Sequence, residues 1–111
     1  MSYTVNITDQ ADNDLRAIFS YIAFELKSHI NAVGQLERLE AEIESLSEMP
    51  KRYRLYGQEP WHSRGLRRMP VDNYCVFYIP YEDRNEVDVI RVLYGGRDID
   101  HWLDECTNTI Q

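Results

Sequence analysis

The sequence predicts an α+β fold in the order β-α-α-β-β-β-α, with an antiparallel helical pair packed on an antiparallel sheet. Three observations carry this expectation. Two apolar stripes at helical spacing occupy the first half of the chain, three extended stretches with short turns fill the second, and the middle stretch is apolar on both phases.

Tyr3, Val5 and Ile7 alternate with Thr4 and Asn6, the period of a half-buried strand. Thr8 or Asp9 can cap the first helix, whose Ala11, Leu15, Ile18, Phe19, Ile22 and Leu26 share one side as far as about Lys27. A polar break over Ser28 to Asn31 follows. Ala32, Leu36, Leu39, Ile43 and Leu46 then mark a second helix, which Pro50 should stop. So short a break implies that the two helices run antiparallel.

Residues 51–65 mix Gly57, Pro60 and Gly65 with aromatic and basic residues and read as a long connection with at most a short extended piece. Strands are expected over Leu66 to Val71, Tyr74 to Tyr81 and Val87 to Tyr94, forming an antiparallel meander. The central one needs cover on both faces, and the helical pair is available for it. After Gly95-Gly96, Asp98 can cap a last short helix with Ile99, Trp102, Leu103 and Cys106 on one side, and residues 107–111 read as a frayed tail. Where the first strand joins the sheet is open.

The 111 residues suit a single domain spanning 1–111, and 43% hydrophobic residues with eight Tyr and three Phe are the composition of a folding chain. No apolar run approaches the ~20 residues of a membrane span, and the N-terminus lacks a secretion signal, so no membrane contact and a cytoplasmic location are expected. Cys75 and Cys106 match neither a redox pair nor a metal knuckle and are read as reduced. His29, His62 and His101 lie far apart, so no metal site is expected. Signature motifs of nucleotide cofactors and of nucleophilic hydrolases are also missing, and no cofactor is expected.

A net charge of −7 argues against nucleic-acid binding through the whole surface. The basic residues concentrate between Lys51 and Arg68, which makes that segment the place for a polyanion or an acidic partner. Arg54 and Trp61 there, with Arg68 and Arg91 on the strands, are the expected partner-binding residues, since the guanidinium fork grips carboxylate and phosphate alike. Arg91 shares a strand phase with Val87, Val89 and Leu93 and so interrupts an apolar row. Were the protein a ribonuclease, Arg67, Arg97 and His101 would be its catalytic residues.

Several pieces resemble one family. Ala11-Asp12-Asn13-Asp14-Leu15 with Ile18 and Tyr21-Ile22, Leu46-Ser47-Glu48-Met49-Pro50, Gly65-Leu66-Arg67, Asn73 to Tyr78, and Val92-Leu93-Tyr94-Gly95-Gly96-Arg97-Asp98 are similar in order and spacing to the RelE/ParE toxin superfamily. The resemblance covers roughly residues 3 to 103 and implies the same α+β fold, the toxin role of a type II toxin-antitoxin system, and a cognate antitoxin as partner. Two activities live on that fold: cleavage of messenger RNA on the ribosome in the RelE branch, and inhibition of DNA gyrase in the ParE branch. Arg97 matches the family arginine after the glycine turn, and Arg67 matches the family's basic position on the preceding strand. Where the RelE pattern has a central-strand arginine this chain has Cys75, and where it expects a C-terminal tyrosine or histidine this chain has Leu103, beside Trp102 and His101. The resemblance therefore favours the ParE-like branch, with a ribosome-dependent endoribonuclease and a non-toxic protein-binding module on the same fold as alternatives.

Overall fold

The computed structural model describes residues 2–96, 99 and 101–103. Strand β1 (Thr4–Ile7) leads into helix α1 (Asp9–Ser20), and α2 (His29–Glu44) returns antiparallel to it. A short helix α3 (Trp61–Arg64) precedes β2 (Arg67–Val71), β3 (Tyr74–Tyr81) and β4 (Glu86–Tyr94). Ile99 and His101–Leu103 are helical, as expected of the last element. The expected cap Asp98, Cys106 and the tail lie outside the described residues.

The sheet order is β1-β4-β3-β2. Strands β2, β3 and β4 form the expected antiparallel meander, while β1 joins the far edge parallel to β4, Thr4 opposite Glu86 and Ile7 opposite Val89. Thr8 locks this junction. Its hydroxyl donates to the Val89 carbonyl at 2.8 Å and accepts from the Ala11 N–H at 3.2 Å, so one side chain both ties the chain to β4 and caps α1.

The helical boundaries differ from the expected ones for local reasons. After Ser20 the chain widens into a π-helical turn over Tyr21–Glu25, and Lys27 takes a left-handed φ of 55°. The Ser28 hydroxyl then accepts from the Asn31 N–H, which starts α2 at His29 and shortens the polar break. At the other end α2 stops at Glu44, before Pro50, and passes into a 3₁₀ turn over Ser45–Ser47. The Arg52 guanidinium caps this end, donating to the carbonyls of Ser45, Glu48 and Met49.

Each sheet face carries its own apolar cluster. Toward the helical pair, Met69, Val76, Tyr78, Val89 and Val92 pack against Leu15, Leu39, Ile43 and Leu46. On the opposite face Cys75, Phe77, Ile79, Ile90 and Leu93 pack against Trp61, Leu66 and Leu103. The helical pair thus covers one face only. The second is covered by the 51–65 connection and the C-terminal helical residues, which the apolar phases of the central strand require but do not name.

Strand β4 contains a bulge. Phe77 pairs with Arg91 and Tyr78 with Val89, so Ile90 is an extra residue. The uniform phase expected for Val87, Val89, Arg91 and Leu93 is therefore broken. Val87 and Val89 stay on the helical face with Val92, and Ile90 and Leu93 join the opposite cluster.

Candidate functional site

Strand β2 separates its two arginines by alternation. Arg67 lies opposite Tyr78 on the helical face, and Arg68 lies opposite Phe77 on the other. Arg67 donates through Nη1 to the carbonyls of Lys51 at 3.1 Å and Tyr53 at 2.6 Å, fastening the connection to the sheet. Below it the Tyr78 hydroxyl donates to the Pro50 carbonyl at 2.6 Å, and burial pushes its pKa up from 10.0 to about 12. Both groups hold the 50–53 stretch in place.

Arg91, expected at a partner surface, is instead 3% exposed. The bulge puts it opposite Phe77, on the sheet face away from the helical pair, and from there its Nε and Nη2 reach both oxygens of Asp14 on α1 at 2.8 and 2.9 Å. Nη1 donates to the Trp102 carbonyl at 3.1 Å, and the same Asp14 oxygen accepts from the Val92 N–H. A charge at this depth needs such pairing, and the fork joins α1, β4 and the last helical residues. Asp14 was not singled out in the sequence, although its place between Ala11 and Ile18 puts it on the flank of the apolar stripe.

Trp61, likewise expected to meet a partner, is 2% exposed within the second cluster, with Arg64 over its ring at 5.2 Å. Its large apolar ring fills the face left uncovered by the helices. His101 is exposed and meets Trp102 edge-on at 6.0 Å. Arg97 lies outside the described residues. Arg67, Arg68 and Arg91 thus have separate surroundings: backbone carbonyls, the Cys75 thiol at 3.2 Å, and Asp14.

The remaining predicted residues do come together. Residues Arg54–Tyr56 run beside the start of β2, the Arg68 N–H donating to the Arg54 carbonyl and the Tyr56 N–H to the Leu66 carbonyl. Arg54 therefore stands beside Arg68 on one face. Both are exposed, and with Tyr53, Leu55, Tyr56 and Pro70 they line a cleft of about 630 Å³. A second groove of about 670 Å³ lies between α1 and the upper part of β4, its wall formed by Ala17, Ile18, Tyr21, Tyr74 and Tyr94 above the Asp14–Arg91 pair. Beyond Val89, β1 no longer pairs with β4, which leaves this end of the strand to α1.

No described helix is long and apolar enough to cross a membrane.

A family model described as the ParE toxin of type II toxin-antitoxin system, parDE, matches residues 5–99. Among curated proteins no sequence matches the chain at a significant level. Similar solved structures include the chromosomal ParDE system from P. aeruginosa, with a TM-score of 0.68 at 16% identity, covering 84% of this chain and 96% of that one. The RelBE2 toxin-antitoxin complex from Mycobacterium tuberculosis gives 0.59 at 21% identity, covering 85% and 92%. A mutant of the E. coli toxin RelE in the free state gives 0.65 at 16% identity, with 100% of both chains covered. Structural likeness at such identities speaks for the fold, and the match over residues 5–99 speaks for the family: this chain belongs to the ParE toxin family, a RelE/ParE-superfamily toxin of a type II toxin-antitoxin system.

Proposed function

We propose that this toxin inhibits growth by contact with DNA gyrase, in the ParE manner, without cutting RNA. One observation carries the reading. Cys75 and Leu103 stand where the ribonuclease branch is expected to have an arginine and a tyrosine or histidine, and both side chains are buried, at 3% and 0% exposure, in one apolar cluster with Phe77 and Leu93. Cleaving RNA needs a base, an acid and cations around a charged phosphorane. Packing these two positions into a core removes them from such chemistry, and Arg67 is held by two backbone carbonyls. The net charge of −7 also disfavours approach to a polyanion.

A cognate antitoxin is the expected second partner. The 670 Å³ groove between α1 and β4, with Tyr21 and Tyr94 half exposed on its rim, suits a helix or strand laid across the helical pair and the sheet.

The test is direct. Purified toxin is added to DNA gyrase in a supercoiling assay and, separately, to ribosomes programmed with a defined message. Loss of supercoiling with intact message is the expected result. Message cleavage with unimpaired supercoiling overturns the proposal and makes Arg97→Ala the next variant to assay; inactivity in both assays overturns it in favour of a non-toxic binding module.

A further inference from the structure

Arg54 and Arg68 are neighbours across an antiparallel bridge, which brings their Cβ atoms to about 5 Å. Like charges so placed repel. Nineteen acidic residues are available in the chain, and carboxylates do pair with Arg16, Arg38, Lys51, Arg84 and Arg91. Among the described residues none pairs with Arg54 or Arg68. The nearest acid in sequence to Arg54, Glu59, is turned to Ser63, accepting from its N–H at 2.9 Å and its hydroxyl at 2.6 Å, which holds the Glu59 carboxyl below its ordinary pKa. Two exposed arginines without a described carboxylate partner thus line an aromatic cleft of a strongly acidic protein, the Arg68 Nε resting on the Cys75 thiol at 3.2 Å.

We propose that this cleft binds an extended segment of a protein partner in which acidic and apolar residues alternate. The inference rests on reading the chain as a toxin that works through protein contacts.

Backbone geometry supplies the alternation. Because Arg54 and Tyr56 direct their main-chain groups to β2, the N–H and C=O of Leu55 point to the outer side, where an extended segment can pair with them. Side chains of such a segment alternate between the two faces. One face presents Arg54 and Arg68, the other presents Leu55, 40% exposed. Carboxylates meet the guanidiniums while alternate apolar side chains meet Leu55. Pro70, which has no N–H to offer, closes the pairing edge beyond the cleft. A nucleic acid fits less well, since its affinity grows with the number of phosphates neutralised and the site holds two cations on a protein of charge −7.

The probe is a short fluorescein-labelled peptide of alternating Glu and Leu, titrated with the whole protein by fluorescence anisotropy. Its controls are the same peptide with Gln for Glu and a labelled oligouridylate. The Glu peptide should bind, each of Arg54→Gln and Arg68→Gln should weaken it about tenfold, and neither variant should lower the unfolding midpoint. No binding, equal binding of the Gln peptide, or tighter binding of the oligouridylate overturns the proposal. Gyrase inhibition by the same wild-type preparation is read in parallel. Its failure tells against the functional reading alone, whereas failure of peptide binding with gyrase inhibited tells against the cleft alone.

Discussion

Tyr78 shows how much a single buried hydroxyl does here. It donates to the Pro50 carbonyl from within the helical-face core, and its raised pKa means that folding favours the protonated phenol. The resulting stability is fully present below about pH 10 and is lost as the pH rises toward 12, a difference of about 2–3 kcal/mol. Tyr78→Phe should lose about 1 kcal/mol at neutral pH and should lack that part of the alkaline decline, as measured by urea unfolding across the alkaline range. Asp14→Asn should cost more, about 3 kcal/mol, because it removes the carboxylate charge that grips the buried Arg91 guanidinium through both oxygens. Thermal and urea unfolding of that variant check the figure. At this scale residue types were legible in the sequence and their orientations were not. Arg91 does interrupt an apolar segment and does have an acidic partner, but Trp61 and Arg91 face inward, and residue type alone does not say which way a ring or a guanidinium turns.

Among the elements, those with strong periodicity were legible. Tyr74–Tyr81 forms a strand with the expected bounds because both its phases are apolar and turns flank it; at the first turn Asp72 accepts a φ of 54°. The bulge was hidden for the opposite reason. Val89, Ile90, Val92 and Leu93 are all apolar, so either phase satisfies both faces and only pairing with β3 decides. Thr8 secures the parallel placement of β1, since its hydroxyl bonds to carbonyls of β4 and to the first turn of α1. Thr8→Ala should therefore cost about 1–2 kcal/mol, at the upper end for a helix cap, and should speed hydrogen exchange in both β1 and the first turn of α1.

For the whole molecule, the two faces of the sheet have unequal protection. One is roofed by a helical pair; the other depends on Trp61 and on Leu103. Leu103→Ala opens a cavity under the last helical residues and should cost about 2–5 kcal/mol, read as a lowered urea midpoint without a change in the slope of the transition. The layered α+β plan was evident from the order of apolar patterns, whereas the second roof was not, since the 51–65 connection has no periodicity to declare a buried face. The cleft at Arg54 and Arg68 lay within the segment singled out by its basic charge, but its edge became visible only once Leu55 was paired against Arg67.

The parallel seam between β1 and β4 also bears on when the protein can finish folding. Thr4 has its partner at Glu86 and Ile7 at Val89, so the first strand waits for a segment far along the chain to receive it. Loop closure over such a separation comes late and slowly. A nascent chain cannot complete the sheet, the Asp14–Arg91 fork or the second apolar cluster until β4 and Leu103 have left the ribosome.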